Sequence, residues 1–158
     1  MSELRELYQE IILDHNKNPR NFGYLEDADH SSEGHNPLCG DRYTVYARVE
    51  DETIKEITFS GEGCAISKSS ASIMTELVKG KKAGEVNILI LEFQKMLKGE
   101  MISDEFREKL HKAAILEGVK EFPVRIKCAT LAWHTLKNAL TEDGQRKKGV
   151  STENEQTT

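Results

Sequence analysis

Tyr43, Val45, Ala47 and Val49 alternate with Arg42, Thr44, Arg48 and Glu50. A period of two is the mark of a strand with one buried face. Asp51-Glu52 supplies a tight turn, and Ile54, Ile57 and Phe59 predict a returning strand with a slip or bulge near Lys55. The polar stretch Tyr24 to Gly34 leaves room for a short edge strand. After Gly63 the spacing turns helical and stays so. Strands first and helices afterwards predict an α+β fold: a small antiparallel β-sheet of about three strands packed by helices, not alternating βαβ units.

Five helical segments follow from the same reading. Residues 2 to 15 carry Leu4, Leu7, Tyr8, Ile11 and Ile12 on one face, ended by Asn16, Asn18 and Pro19. Ile66, Ile73, Met74 and Leu77 predict a helix closed by Gly80. Val86, Leu89, Ile90, Phe93 and Leu97 predict the next, closed by Gly99. Ser103-Asp104-Glu105 has the chemistry of a helix start, with Leu110, Ala113, Ala114 and Leu116 turned inward before Gly118. Pro123 suits the first position of a last helix, whose expected buried stripe is Val124, Leu131, Thr135, Leu136 and Ala139.

The chain has 158 residues, which predicts a single domain over residues 1–140 and a polar, disordered tail over 141–158. A net charge of −5, with no basic stripe, argues against a nucleic-acid partner. No apolar run approaches the ~18 residues of a membrane span, so no membrane partner is expected. The N-terminus shows no export signal, and an odd number of cysteines, 3, then points to reduced thiols in the cytoplasm.

Those thiols are the chemically informative residues. Cys39 precedes a strand within "NPLCGD", Cys64 follows Gly61-Glu62-Gly63 where a strand gives way to a helix, and Cys128 falls in the first turns of the last helix. All three sit near element ends, where distant loops converge. Helix N-termini favour thiolates, which makes Cys64 and Cys128 candidates. Asp41 adds an oxygen two residues from Cys39, and three thiolates with one carboxylate make a tetrahedral zinc set. The bland alternative is three separately buried cysteines: there is no C-x-x-C pair, and gaps of 25 and 64 residues are not a zinc-finger spacing. Among the histidines, His134 lies off the Cys128 face, His35 reads as a solvated loop residue, and His15, His30 and His111 read as surface residues. There is no H-E-x-x-H or G-x-S-x-G, and "SKSSAS", residues 67 to 72, reads as a small-residue face for close packing.

"NPLCGD", "GEGCAISKSSAS" and "FPVRIKCATLAW" resemble the three cysteine blocks of the SufU/IscU-type iron–sulfur cluster assembly proteins, in order over residues 4 to 140. The resemblance implies a SufU/IscU-like (SufE/NifU) fold. It also implies one site, with Cys39, Asp41, Cys64 and Cys128 as metal ligands. Two departures from the IscU pattern stand out. Where that pattern runs Leu-Pro-Pro-Val-Lys, one residue, His-Cys, this chain has Glu121-Phe122-Pro123-Val124-Arg125-Ile126-Lys127-Cys128. Lys127 thus replaces a histidine. The middle segment, Glu85 to Gly118, is also longer. Both departures resemble the SufU branch, whose members hold zinc and accept sulfur from a pyridoxal-phosphate cysteine desulfurase of SufS type.

On that resemblance the expected function is a zinc-dependent sulfurtransferase serving downstream iron–sulfur scaffold or apo-proteins. Cys39, in a mobile-looking Pro/Gly-flanked loop, is the expected sulfur acceptor. Arg125 is a candidate to steady a thiolate or persulfide charge, with an ordinary exposed arginine as the alternative. The competing expectation is a scaffold assembling a transient iron or [2Fe–2S] cluster on Cys39, Cys64 and Cys128.

Overall fold

The alternating run is the middle strand of a three-stranded antiparallel sheet. A computed structural model describes residues 2–141 of the chain, with side chains from Tyr8 onward. Helix α1 spans Ser2–Lys17; strands β1 (His30–Asn36), β2 (Asp41–Glu50) and β3 (Thr53–Glu62) follow and lie in the order β1-β2-β3. The side chains of Leu4 and Leu7, and the tail beyond Thr141, fall outside the described residues.

Asp51 and Glu52 turn the β2–β3 hairpin with φ of 52° and 62°, whose backbone twist suits the twist of paired strands. The expected bulge is real. Arg48 faces Glu56 while Val49 faces Ile54, so Lys55 is the extra residue. It explains how Ile54 and Ile57, three apart, both reach the core with Phe59. On β2 the covered face carries Asp41, Tyr43, Val45 and Ala47. That parity puts a carboxylate at the end of an otherwise apolar row. On β1 the buried positions are Ser31, Gly34 and Asn36.

Helices α2 (Ala65–Val78), α3 (Ala83–Leu97), α4 (Asp104–Leu110) and α5 (Pro123–Ala139) complete the fold, with a 3₁₀ segment at His111–Glu121 before α5. Helix α5 packs on β1, β2 and α2, while α2 also packs on α1 and β3. The serine-rich face of α2 does allow close packing. Ser70 Oγ donates to the carbonyl of Ala129 at 2.5 Å and accepts from Trp133 Nε1 at 2.9 Å. Trp133 stacks on Phe93 at 3.9 Å between ring centroids. Burying side chains of this size contributes ~1.5–3 kcal/mol each, so this contact anchors α3 to α5.

Three expectations are corrected. The helix from Ser103 stops at Leu110, because His111 takes φ 50°; beyond it Leu110, Ala113, Leu116 and Val119 are buried at a spacing of three. Ala114 is only half-buried. On α5, Thr135, Leu136 and Ala139 are buried as expected, but Val124 is 56% exposed and Leu131 half-buried, and the row is completed by Cys128, Ala129, Ala132 and Trp133. His15 is not a surface residue: it is 1% exposed and its Nδ1 lies 2.7 Å from Ser72 Oγ. No helix among the described residues is long and apolar enough to cross a membrane.

Candidate metal centre

Three chain segments meet at one end of the sheet: the β1–β2 turn, the β3–α2 junction and the first turns of α5. The turn Pro37–Gly40 is short, with Gly40 at φ 73° and the amide of Cys39 donating to the carbonyl of Asn36 at 3.3 Å. It closes on the cross-strand pair Asn36–Asp41, whose two side chains are both buried. Cys39 is carried out on the turn, half-buried, while Cys128 is fixed and buried on α5.

Their sulfurs lie 3.1 Å apart. A carboxylate oxygen of Asp41 joins them, all three ligating atoms lying within 4.8 Å of one another. Asp41 is fully buried. Its Oδ1 accepts the backbone N–H of Cys64 at 3.0 Å, but Oδ2 is buried with no hydrogen-bond partner among the described residues. Burial first, then the neighbouring Cys39 sulfur and Asp41 carboxylate, push the Cys128 thiol well above its ordinary range. The helix-start position read from the sequence therefore does not by itself make Cys128 a thiolate.

Soft sulfurs beside a buried carboxylate oxygen without a donor form a negative site that a bound cation would compensate. These residues fit a zinc ion.

Cys64 stands slightly apart. It is exposed, it is the N-cap of α2, and its sulfur accepts the N–H of Ser67 at 3.4 Å. It lies outside the group of three but lines the same 340 Å³ cavity with Cys39, Cys128, Ile66, Val124 and Arg125. Gly63 is required here: a Cβ would come within 2.5 Å of Asp41 Oδ1 and of Ser67 Oγ, and 2.6 Å of Tyr43 OH. Tyr43 OH and Ser67 Oγ lie 3.0 Å apart behind it. Burial pushes the Tyr43 phenol upward, out of reach of ordinary titration.

Arg125 is exposed, its guanidinium 5.3 Å from the Phe122 ring centroid, a cation–π contact at the cavity edge. Lys127 is exposed. His134 is exposed against Gln94 on the flank of α5, and His35 sits on β1 opposite Arg42, not in a loop. His30 is half-buried and paired with Asp29 at 2.8 Å. Sequence reasoning passed over Asn36, the first residue of its own motif "NPLCGD", although its amide Nδ2 lies 3.8 Å from Cys128 Sγ. Its place opposite Asp41 across the turn was the available signal.

The NifU-like N terminal domain family matches residues 7–149. The chain is 42% identical over 134 residues to "Iron-sulfur cluster assembly scaffold protein IscU" of Thermotoga maritima, covering 85% of this chain and 92% of the relative. It is 38% identical over 142 residues to "Zinc-dependent sulfurtransferase SufU" of Bacillus subtilis, covering 90% and 95%. Among solved structures, a putative iron–sulfur cluster assembly scaffold protein for the SUF system from Fervidobacterium islandicum superposes with a TM-score of 0.79 at 33% identity, covering 84% of this chain and 95% of that one. A nitrogen-fixing NifU-like protein from Brucella abortus shares the fold, with a TM-score of 0.76 at 23% identity over 84% and 91%. The chain belongs to the NifU-like N-terminal domain family, among the IscU and SufU proteins of iron–sulfur cluster assembly.

Proposed function

We propose that this protein is a zinc-dependent sulfurtransferase of the cytoplasm, accepting sulfur from a SufS-type cysteine desulfurase and passing it to downstream iron–sulfur scaffold or apo-proteins. The carrying observation is the convergence of Cys39, Asp41 and Cys128, with one oxygen of the buried carboxylate lacking a hydrogen-bond partner among the described residues. Cys39, Asp41 and Cys128 would hold zinc, with Cys64 as the fourth ligand from the wall of the same cavity. Zinc bound there keeps thiols ionised and ties the three segments together.

The transfer itself belongs to Cys39. Its sulfur attacks the outer sulfur of the desulfurase persulfide, forming a new S–S bond as the donor's S–S bond breaks. The electron pair leaves with the desulfurase cysteine, which takes up the proton that Cys39 lost, so no external oxidant is consumed. Cys39 suits this role because it rides on a four-residue turn, whereas Cys128 is packed into α5 and Cys64 caps α2. Arg125 at the cavity edge would steady the negative charge of the persulfide. Lys127 in place of histidine, the long segment from α3 to the 3₁₀ turn, and the likeness to the Bacillus subtilis protein favour this reading.

The second reading, a scaffold carrying a [2Fe–2S] cluster as cargo on Cys39, Cys64 and Cys128, is favoured by the Thermotoga maritima relative named as a scaffold. Metal content and visible absorption of protein purified without added metal separate the two. About one zinc per chain and no visible band supports transfer; brown absorbance without zinc supports the scaffold. Mixing with a desulfurase and cysteine, followed by trapping and mass spectrometry, should then show a persulfide first on Cys39. Early persulfide on Cys64 or Cys128, with Cys39 unmodified, overturns the acceptor assignment.

A further inference from the structure

Asn36 is no member of the ligand set, yet its side chain joins the turn that carries Cys39 to the helix that carries Cys128. It is 7% exposed. Its Oδ1 accepts the backbone N–H of Leu38 at 3.3 Å. A backbone N–H can only donate, so this bond fixes which way the carboxamide faces. Nδ2 is then obliged to point the other way, and what it meets is Cys128 Sγ at 3.8 Å, a long N–H···S contact suited to the size of sulfur. The main chain of Asn36 repeats the link, its carbonyl accepting from Cys39 N at 3.3 Å. Across the turn its partner is Asp41. Among the described residues Cys39 Sγ has no side-chain amide facing it, only the Cys128 sulfur.

We infer that Asn36 is a positioning residue that sets which sulfur of the site reacts: its carboxamide donates to Cys128, quiets it as a nucleophile, and leaves Cys39 as the reactive thiol. The inference rests on the reading above that Cys39 is the sulfur acceptor. An N–H···S bond withdraws charge from a thiolate lone pair. Where a bound metal holds both sulfurs as thiolates, the one without the donor is therefore the better nucleophile. The same carboxamide holds the turn through Leu38, so Cys39 is presented from a fixed frame. A residue that only closed the hairpin would need the Leu38 bond and nothing more.

Asn36→Ser separates the two roles. A serine hydroxyl can still accept the Leu38 N–H in the same kind of side-chain turn, but it is too short to reach Cys128 and adds no charge. In the cobalt(II)-substituted protein the sulfur-to-cobalt charge-transfer band should move to lower energy in the variant, because a sulfur relieved of its donor holds its electrons less tightly. Alkylation of the metal-loaded protein by iodoacetamide, mapped by mass spectrometry, should show a Cys128-to-Cys39 labelling ratio raised about fivefold in the variant, the factor that ~1 kcal/mol of hydrogen bond corresponds to. A variant with wild-type circular dichroism and melting, an unmoved band and an unchanged ratio overturns the proposal and leaves Asn36 a hairpin residue. Should Asn36→Ser not fold, the wild-type protein loaded with cadmium-113 decides: a scalar coupling between the metal and one Asn36 Nδ2 proton is expected, and its absence overturns the proposal. Protein that takes up no metal defeats the zinc reading and this inference together, whereas metal uptake with an unmoved band and an unchanged ratio defeats the inference alone.

Discussion

Asp41 and Cys64 are joined through one carboxylate oxygen: Asp41 Oδ1 accepts the Cys64 backbone N–H at 3.0 Å, while Oδ2 of the same group lies buried and without a donor among the described residues. The arrangement gives the two oxygens different tasks. Oδ1 fixes the start of α2 to the start of β2, satisfying an amide that the helix itself leaves unpaired. Oδ2 is the oxygen left without a hydrogen bond, in a carboxylate that has an oxygen within 4.8 Å of the sulfurs of Cys39 and Cys128. A ligand drawn onto Oδ2 is thereby coupled to the position of Cys64.

Asp41→Asn and Asp41→Ala should separate these tasks. Asparagine can keep an oxygen on the Cys64 amide but presents an NH₂ group, which cannot ligate, to the sulfurs. Zinc retention should fall in both variants, and fall only in part, because three thiolates remain. In the metal-free protein the melting temperature should stay close to wild type for asparagine, which keeps an acceptor on the Cys64 amide. It should drop for alanine, which loses a charged hydrogen bond worth ~1.5–3 kcal/mol. Chelator competition and thermal melts measure the two effects. An asparagine variant holding zinc as tightly as wild type would show that Oδ2 is not a ligand.

Cys64→Ser should show the same split as Asp41→Asn. Cys64 caps α2 by accepting from Ser67 N, and serine is among the best residues at that position. The metal-free variant should therefore melt at or slightly above the wild-type temperature. The gap between metal-loaded and chelated protein, which reports binding to the folded state, should shrink. An undiminished gap would make Cys64 a cap and nothing else.

Gly34 offers a test of the fold around the site. A methyl group there would land on Thr135 Oγ1, with Leu131 Cδ1 at 3.1 Å and Thr135 Cβ at 3.3 Å. Gly34→Ala should cost ~1–3 kcal/mol by overpacking. Adding Thr135→Ala removes the worst contact and should recover part of the loss, a coupling of at least ~0.5 kcal/mol in a double-mutant cycle. Simple additivity in denaturant titrations would mean that β1 and α5 separate freely.

Where the sequence was legible, one periodicity governed. The alternation on β2, the slip at Lys55 and the five apolar positions of α3 were all readable, because each element buries a single clean face. β1 was ambiguous because its covered positions are Ser31, Gly34 and Asn36, chosen for the close approach of α5 and for the site, not for hydrophobicity. The run after α4 misled because a spacing of three, Leu110 to Val119, resembles one side of an α-helix until His111 breaks it. Val124 was assigned to the core by its apolar side chain, whereas it lines the thiol cavity. The cysteines and Asp41 were visible in their motifs, but spacing along the chain could not say that Cys64 stands apart or that Asn36 reaches Cys128. Both depend on where a turn and a helix start come to rest in space.

His15, read from the sequence as a surface residue, carries the last prediction. Arg20 N–H donates to Ser72 Oγ at 2.8 Å, which leaves the Ser72 hydroxyl proton free for His15 Nδ1 at 2.7 Å. The imidazole proton then sits on Nε2, which lies 3.6 Å from Glu76 Oε1. Protonating Nδ1 would require that hydroxyl to turn away inside a packed α1–α2 interface. Burial, with Arg20 and Lys112 adding to it against Glu76 and Asp14, holds the folded-state imidazole below its ordinary value. The unfolded chain, titrating near about 6.5, therefore takes up the proton first as pH falls. The His15 contribution to stability is complete above that value, declines as pH drops through the window down to the folded-state value, and is constant below it. Melting temperatures of the chelated protein between about pH 8 and pH 5 should follow that curve. His15→Asn keeps an acceptor for Ser72 but cannot titrate. It should lower the melting temperature at high pH through lost packing while flattening the decline, part of which remains because partial desolvation, with Lys137 and Lys98 nearby, also lowers His134. A variant whose profile falls as steeply as wild type would place the titration elsewhere.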